Sequence, residues 1–105
     1  MILLIEECKT STNKVERTIS TEVCSSLEIN PLTGYLPFKG IREEVVYEKM
    51  FYIREIKDDE VIVDIYKDDK VLHTSITLKK DQSQTFKPRG PKGLPIFYFY
   101  RLTLK

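Results

Sequence analysis

Tryptophan is absent from this chain, histidine occurs once and cysteine twice. Chemistry that depends on imidazole and thiol groups therefore has little material. Cys8 and Cys24 do not form a Cys-x-x-Cys pair and have no histidine cluster to complete a zinc site, so free thiols and no bound metal are expected. No segment approaches the roughly 20 consecutive apolar residues of a membrane-spanning helix. The apolar start Ile2-Leu3-Leu4-Ile5 runs into Glu6-Glu7 with neither a basic leader nor a small-residue cleavage site, which argues against a secretory signal. A reduced, cytoplasmic protein with no membrane partner is the expectation. The Gly-x-x-x-x-Gly-Lys-Ser/Thr phosphate loop, the dinucleotide fingerprint and any Ser-His-Asp arrangement are also missing, so neither a cofactor nor an enzymatic role is expected.

What is present points to strands. The 105 residues make one domain, 1–105, long enough to bury a core, and they include 11 Tyr and Phe together with many Val, Ile and Thr. Seventeen basic and sixteen acidic residues give a net charge of +1, which argues against attraction of the whole surface to nucleic acid or anionic lipid. The distribution is uneven. Seven of the basic residues lie between Lys79 and Lys105, opposed there only by Asp81, so that segment carries +6 and residues 1–78 carry −5.

Taken in order, Ile2 to Glu7 reads as a first strand. Between Lys14 and Ile29, Val15, Ile19 and Val23 recur at a helical spacing, yet Thr18, Ile19, Thr21 and Val23 are β-branched and stiff in a helix. One or two strands broken near Ser25-Ser26 are expected, with a short helix as the alternative. Pro31 and Gly34 signal a tight turn, and Pro37 and Gly40 suggest that residues 35–40 are a loop.

Val45 to Ile56, Val61 to Tyr66 and Val71 to Lys79 form a three-stranded meander. A three-residue loop, Lys57 to Asp59, puts Phe51 and Ile53 on the core face, where a two-residue turn would put Arg54. In the second hairpin a two-residue Asp68-Asp69 turn would set Tyr66 opposite Val71, Ile65 opposite Leu72, Asp64 opposite His73 and Val63 opposite Thr74. Val61, Val63, Ile65, Leu72, Thr74, Ile76 and Leu78 then share a core face. Ile62, Asp64, Tyr66, Val71, His73, Ser75 and Thr77 share a solvated one. Thr85-Phe86 begins a short strand, and residues 87–95, with three prolines and two glycines, are irregular.

The last ten residues, Ile96 to Lys105, read as a central strand. Ile96, Tyr98, Tyr100, Leu102 and Leu104 point one way, complementing the meander's core face, while Phe97, Phe99, Arg101 and Thr103 point the other. The predicted fold is all-β, a mainly antiparallel two-layer β-sandwich of about six to eight strands, with a small β-barrel as the alternative.

Each candidate for chemistry has an ordinary structural explanation. Asp64 facing His73 across a hairpin would favour the imidazolium, but Ser75 lies roughly 7 Å along the strand from His73, too far to complete a triad. The pair is an ordinary surface contact. Asp58-Asp59-Glu60 and Asp68-Asp69 lack the spaced oxygens and bend glycine of a calcium loop and are explained as turn residues.

The leading functional expectation is a non-catalytic binding or assembly module that engages another protein, or itself, through a strand edge and an aromatic surface at Phe97, Phe99, Tyr47 and Tyr52. The alternative is nucleic-acid or polyanion binding through Lys87, Arg89, Lys92 and Arg101, with bases stacked on nearby aromatic rings.

Overall fold

The computed structural model describes residues 1–9, 14–23, 34–39, 46–66, 71–87 and 98–105, with side chains except at 37–39 and 46–49. Eight strands are formed: β1 (Ile2–Lys9), β2 (Lys14–Glu22), β3 (Gly34–Lys39), β4 (Val46–Ile56), β5 (Glu60–Tyr66), β6 (Leu72–Lys79), β7 (Gln82–Phe86) and β8 (Tyr98–Leu104). They make two antiparallel sheets, ordered β2-β1-β8-β7 and β3-β4-β5-β6. Each sheet keeps two edge strands, so the architecture is a small β-sandwich rather than a closed barrel.

Alternation along the strands builds the layer between the sheets. From the first sheet come Leu3 and Ile5 on β1, Tyr100, Leu102 and Leu104 on β8, and Phe86 on β7. The second sheet supplies Leu36 on β3, Phe51 and Ile53 on β4, Val61, Val63 and Ile65 on β5, and Ile76 and Leu78 on β6. At its centre the Phe51 ring meets Tyr100 edge to face, with centroids 5.6 Å apart, and Tyr100 stacks on Phe86 at 6.4 Å. The aromatic last strand is central, as its two-faced pattern predicts: β8 lies between β1 and β7.

The β4–β5 connection is the expected three-residue loop, closed by the Lys57 N–H donating to the Glu60 carbonyl at 2.7 Å. Phe51 pairs with Ile65 and Ile53 with Val63, and a register break takes up Arg54. The chain then passes from β6 in one sheet to β7 in the other through Lys80 and Asp81 alone. Asp81 makes this turn in the left-handed region (φ 68°), which Asp tolerates better than most residues. Its N–H donates to the Leu104 carbonyl at 2.6 Å, and the Lys80 N–H donates to the Asp59 carbonyl at 2.7 Å, so the corner is tied to both sheets.

Three sequence expectations are corrected. The segment expected as a loop, residues 35–40, is a strand as far as it is described: β3 occupies Gly34–Lys39. Pro37 fits because β3 is an edge strand and the register breaks between Leu36 and Phe38, so the ladder does not require the N–H that proline lacks. The register expected from a two-residue Asp68-Asp69 turn is not the one observed, and residues 67–70 themselves lie outside the described ones. Tyr66 pairs with Leu72, Ile65 with Thr74, Asp64 with Ser75 and Val63 with Ile76, and a break between Ile65 and Tyr66 leaves His73 unmatched. That extra residue flips the side-chain alternation. Leu72, expected in the core, therefore shares the outer face with Tyr66 and is 49% exposed.

In the Lys14–Ile29 segment β-propensity prevails over the helical spacing as far as Glu22, while residues 24–33 lie outside the described ones. Gly34 opens β3 at φ +127°, a conformation that L side chains rarely adopt, with open space around the position of a Cβ. Gly34→Ala is therefore expected to cost about 1 kcal/mol from backbone strain alone, read as a lowered midpoint in urea with an unchanged slope.

Candidate functional site

The outer face of the second sheet collects the residues best placed to meet a partner. Tyr35 on β3 pairs with Tyr52 on β4, and Tyr52 pairs with Asp64 on β5, which puts all three on one face. Tyr66 lies two residues beyond Asp64 on the same face. The Tyr35 ring meets both of the others, 4.8 Å from Tyr52 and 6.2 Å from Tyr66, inclined by 63° and 58°. Tyr35 is 44% exposed, and Leu72, opposite Tyr66, extends the row onto β6. Burial, followed by the charge of Asp64 and the neighbouring Tyr35 and Tyr52, pushes the Tyr66 phenol above its ordinary value. Of the five large apolar side chains exposed among the described residues, Tyr35, Val71 and Leu72 belong to this end of the sheet.

Beside the tyrosines lies a polar network. The Arg54 guanidinium donates from Nε to both Asp64 oxygens, at 3.1 and 2.9 Å, and from Nη2 to Asp64 Oδ1 and to Ser75 Oγ, the latter at 2.7 Å. Ser75 in turn donates to Asp64 Oδ1 at 2.6 Å. Arg54, followed by Ser75, holds the Asp64 carboxyl below its usual range, while Asp64 raises the Arg54 value. The expected Asp64–His73 pair is thus replaced: Asp64 is held by Arg54 and Ser75, and the His73 ring meets Phe86 of β7 edge to face at 4.9 Å.

No family model, curated protein or solved structure matches this chain.

The sequence-predicted protein-binding residues are dispersed. Tyr52 belongs to the tyrosine row. Tyr47 lies on β4 opposite Phe38, its side chain outside those described, and Phe97 lies outside the described residues. Phe99 faces away from the core on β8, paired with Cys8, and is only 8% exposed, so its own chain already covers it. Cys8 is a buried free thiol, pushed up from its ordinary value mainly by burial, and Cys24 is outside the described residues.

Of the basic candidates only Lys87 and Arg101 are among the described residues. Lys87 is exposed just past β7, whereas Arg89 and Lys92 lie outside the described residues. Arg101 donates to Glu6 from Nε at 2.9 Å and from Nη2 at 3.1 Å, a forked pair that raises its own value and lowers that of Glu6. Its charge is already matched within the first sheet.

Among the described residues no three His, Cys, Asp or Glu side chains converge on a metal-binding arrangement, and no helix is long and apolar enough to cross a membrane.

Sequence reasoning missed Tyr35, Tyr66 and Leu72 as one surface. Proline hid the β3 strand that carries Tyr35, and the longer second hairpin moved Leu72 to the outer face. The period-2 alternation of Tyr52 with Arg54 and of Asp64 with Tyr66 was the available signal.

Proposed function

We propose that the chain is a non-catalytic binding module that engages a protein partner through the tyrosine row and Leu72. One observation carries this reading: Tyr35, Tyr52 and Tyr66 cluster on a solvent-facing sheet surface, with Tyr35 and Leu72 about half exposed. Tyrosine supplies a rigid, large contact area with two side-chain torsions to order and a hydroxyl that remains satisfied in a partly wet interface. The neighbouring Arg54–Asp64 pair is internally neutralised and supplies a polar rim, the usual setting of a contact centre.

Tyr35→Asp and Leu72→Asp, each placing a carboxylate on the apolar strip, test the proposal. Partners recovered with the wild-type chain and identified by mass spectrometry are expected to bind either variant at least about tenfold more weakly, with unchanged circular dichroism. Equal binding by folded variants would remove this face from the function. The polyanion alternative predicts a single-stranded nucleic-acid affinity that falls steeply with salt. The proposed protein-binding face needs no such affinity.

A further inference from the structure

We infer that two copies of the chain pair edge to edge along β2, joining their first sheets into one continuous sheet. Of the four edge strands among the described residues, three carry a feature that blunts pairing. Pro37 lies at the register break of β3, and β6 is broken at His73. The β6 edge is also bridged to β7, where the Gln84 side-chain amide donates to the Thr77 carbonyl at 2.8 Å, and β7 itself has five residues. In β2 the break sits early, opposite Glu7 and Cys8, leaving residues 17–22 in unbroken register with β1. Thr18, Ile19, Ser20 and Thr21 contain no proline and no charge, the charges of β2 lying to either side at Lys14, Glu16, Arg17 and Glu22, so among the described residues this stretch is the edge segment least protected against a second strand.

The backbone phase of that edge follows from three bonds. The Val23 N–H donates to the Met1 carbonyl at 2.8 Å, while Ile2 and Lys105 exchange two bonds, each 2.8 Å. Met1, Leu3 and Ile5 therefore present their backbone groups to β2, and Ile19 and Thr21 answer them. Thr18, Ser20 and Glu22 turn their N–H and C=O groups to the open side. A two-fold axis at Ser20 matches these groups in the two copies through about six backbone hydrogen bonds. It also sets Ile19 beside Thr21 of the second copy, and Glu22 beside Thr18. A two-fold at Ile19 would instead face Glu16 with the second copy's Glu22, carboxylate against carboxylate. Charge thus favours the axis at Ser20.

Sedimentation velocity of the full chain, from micromolar to submillimolar concentration, tests this pairing. The wild type is expected to approach twice the chain mass. Ser20→Lys and Ser20→Glu, each setting like charges together at the axis, are expected to weaken association about tenfold or more when alone. An equimolar mixture of the two is expected to recover it. A monomeric wild type, a Ser20→Lys chain that associates as well as the wild type, or a mixture that stays monomeric would each overturn the pairing. Tyr35→Asp is expected to leave the dimer intact, so this inference and the tyrosine-face proposal can fail separately.

Discussion

Phe51→Ala is expected to lower the unfolding free energy by about 3–5 kcal/mol, enough to leave a domain of this size marginally folded or unfolded at room temperature. Phe51 is fully buried on β4, and its ring touches Tyr100 across the sandwich. Truncation removes the apolar area of the ring and also the surface that keeps Tyr100 in its edge-on orientation. It leaves a cavity where Phe51 and Tyr100 join the two sheets. Phe51→Leu, which retains most of the volume, should cost roughly 1–2 kcal/mol. Urea denaturation followed by tyrosine fluorescence gives both values. A loss below about 1 kcal/mol for Phe51→Ala would mean that the sheets do not pack through this residue.

Asp64→Ala is the second large effect, expected at about 2 kcal/mol. A nearly buried carboxylate that accepts from Arg54 and Ser75 contributes through charge-assisted bonds, while the half-exposed arginine keeps the figure below that of a fully buried pair. The same group gives a pH signature. Arg54 depresses the folded-state value of Asp64, and Arg101 depresses that of Glu6. A depressed carboxylate contributes stability that is fully present above its unfolded value, near pH 4, and is lost as pH falls through the folded value. Stability should therefore fall as the pH drops below about 4.5, and more shallowly in Asp64→Ala than in the wild type. Urea midpoints between pH 2.5 and 7 would show it; identical acid slopes would mean that the Arg54–Asp64 pair is not formed in solution.

The class and layering of the fold were legible because burial imposes alternation. Val61, Val63, Ile65, Ile76 and Leu78 on one side, and Tyr100, Leu102 and Leu104 on the other, have too regular a period to be anything but two facing sheet surfaces. The three-residue loop after Ile56 was legible for the same reason, since only that length buried Phe51 and Ile53 together. Pattern alone could not locate the extra residue in β6. A β-bulge costs one unpaired position and is set by tertiary contacts, here by His73 reaching Phe86 and by Ser75 reaching Asp64. The candidate site suffered most, because its residues come from four strands whose relative register depends on three such irregularities, at Pro37, at Arg54 and at His73. Arg101 shows the converse limit: a basic residue in a basic segment looked available, but its partner Glu6 is 95 residues away in sequence and adjacent only once β1 and β8 pair.

Amide chemical-shift mapping on the isotopically labelled chain, titrated with a partner recovered by the wild type, tests the central claim most directly. The largest shifts are expected at Gly34 to Leu36, Tyr52, Tyr66 and Leu72, with Leu4, Glu6, Arg101 and Thr103 on the opposite outer face unmoved. Shifts confined to that opposite face, with the tyrosine row silent, would contradict the assignment of the second sheet as the binding surface.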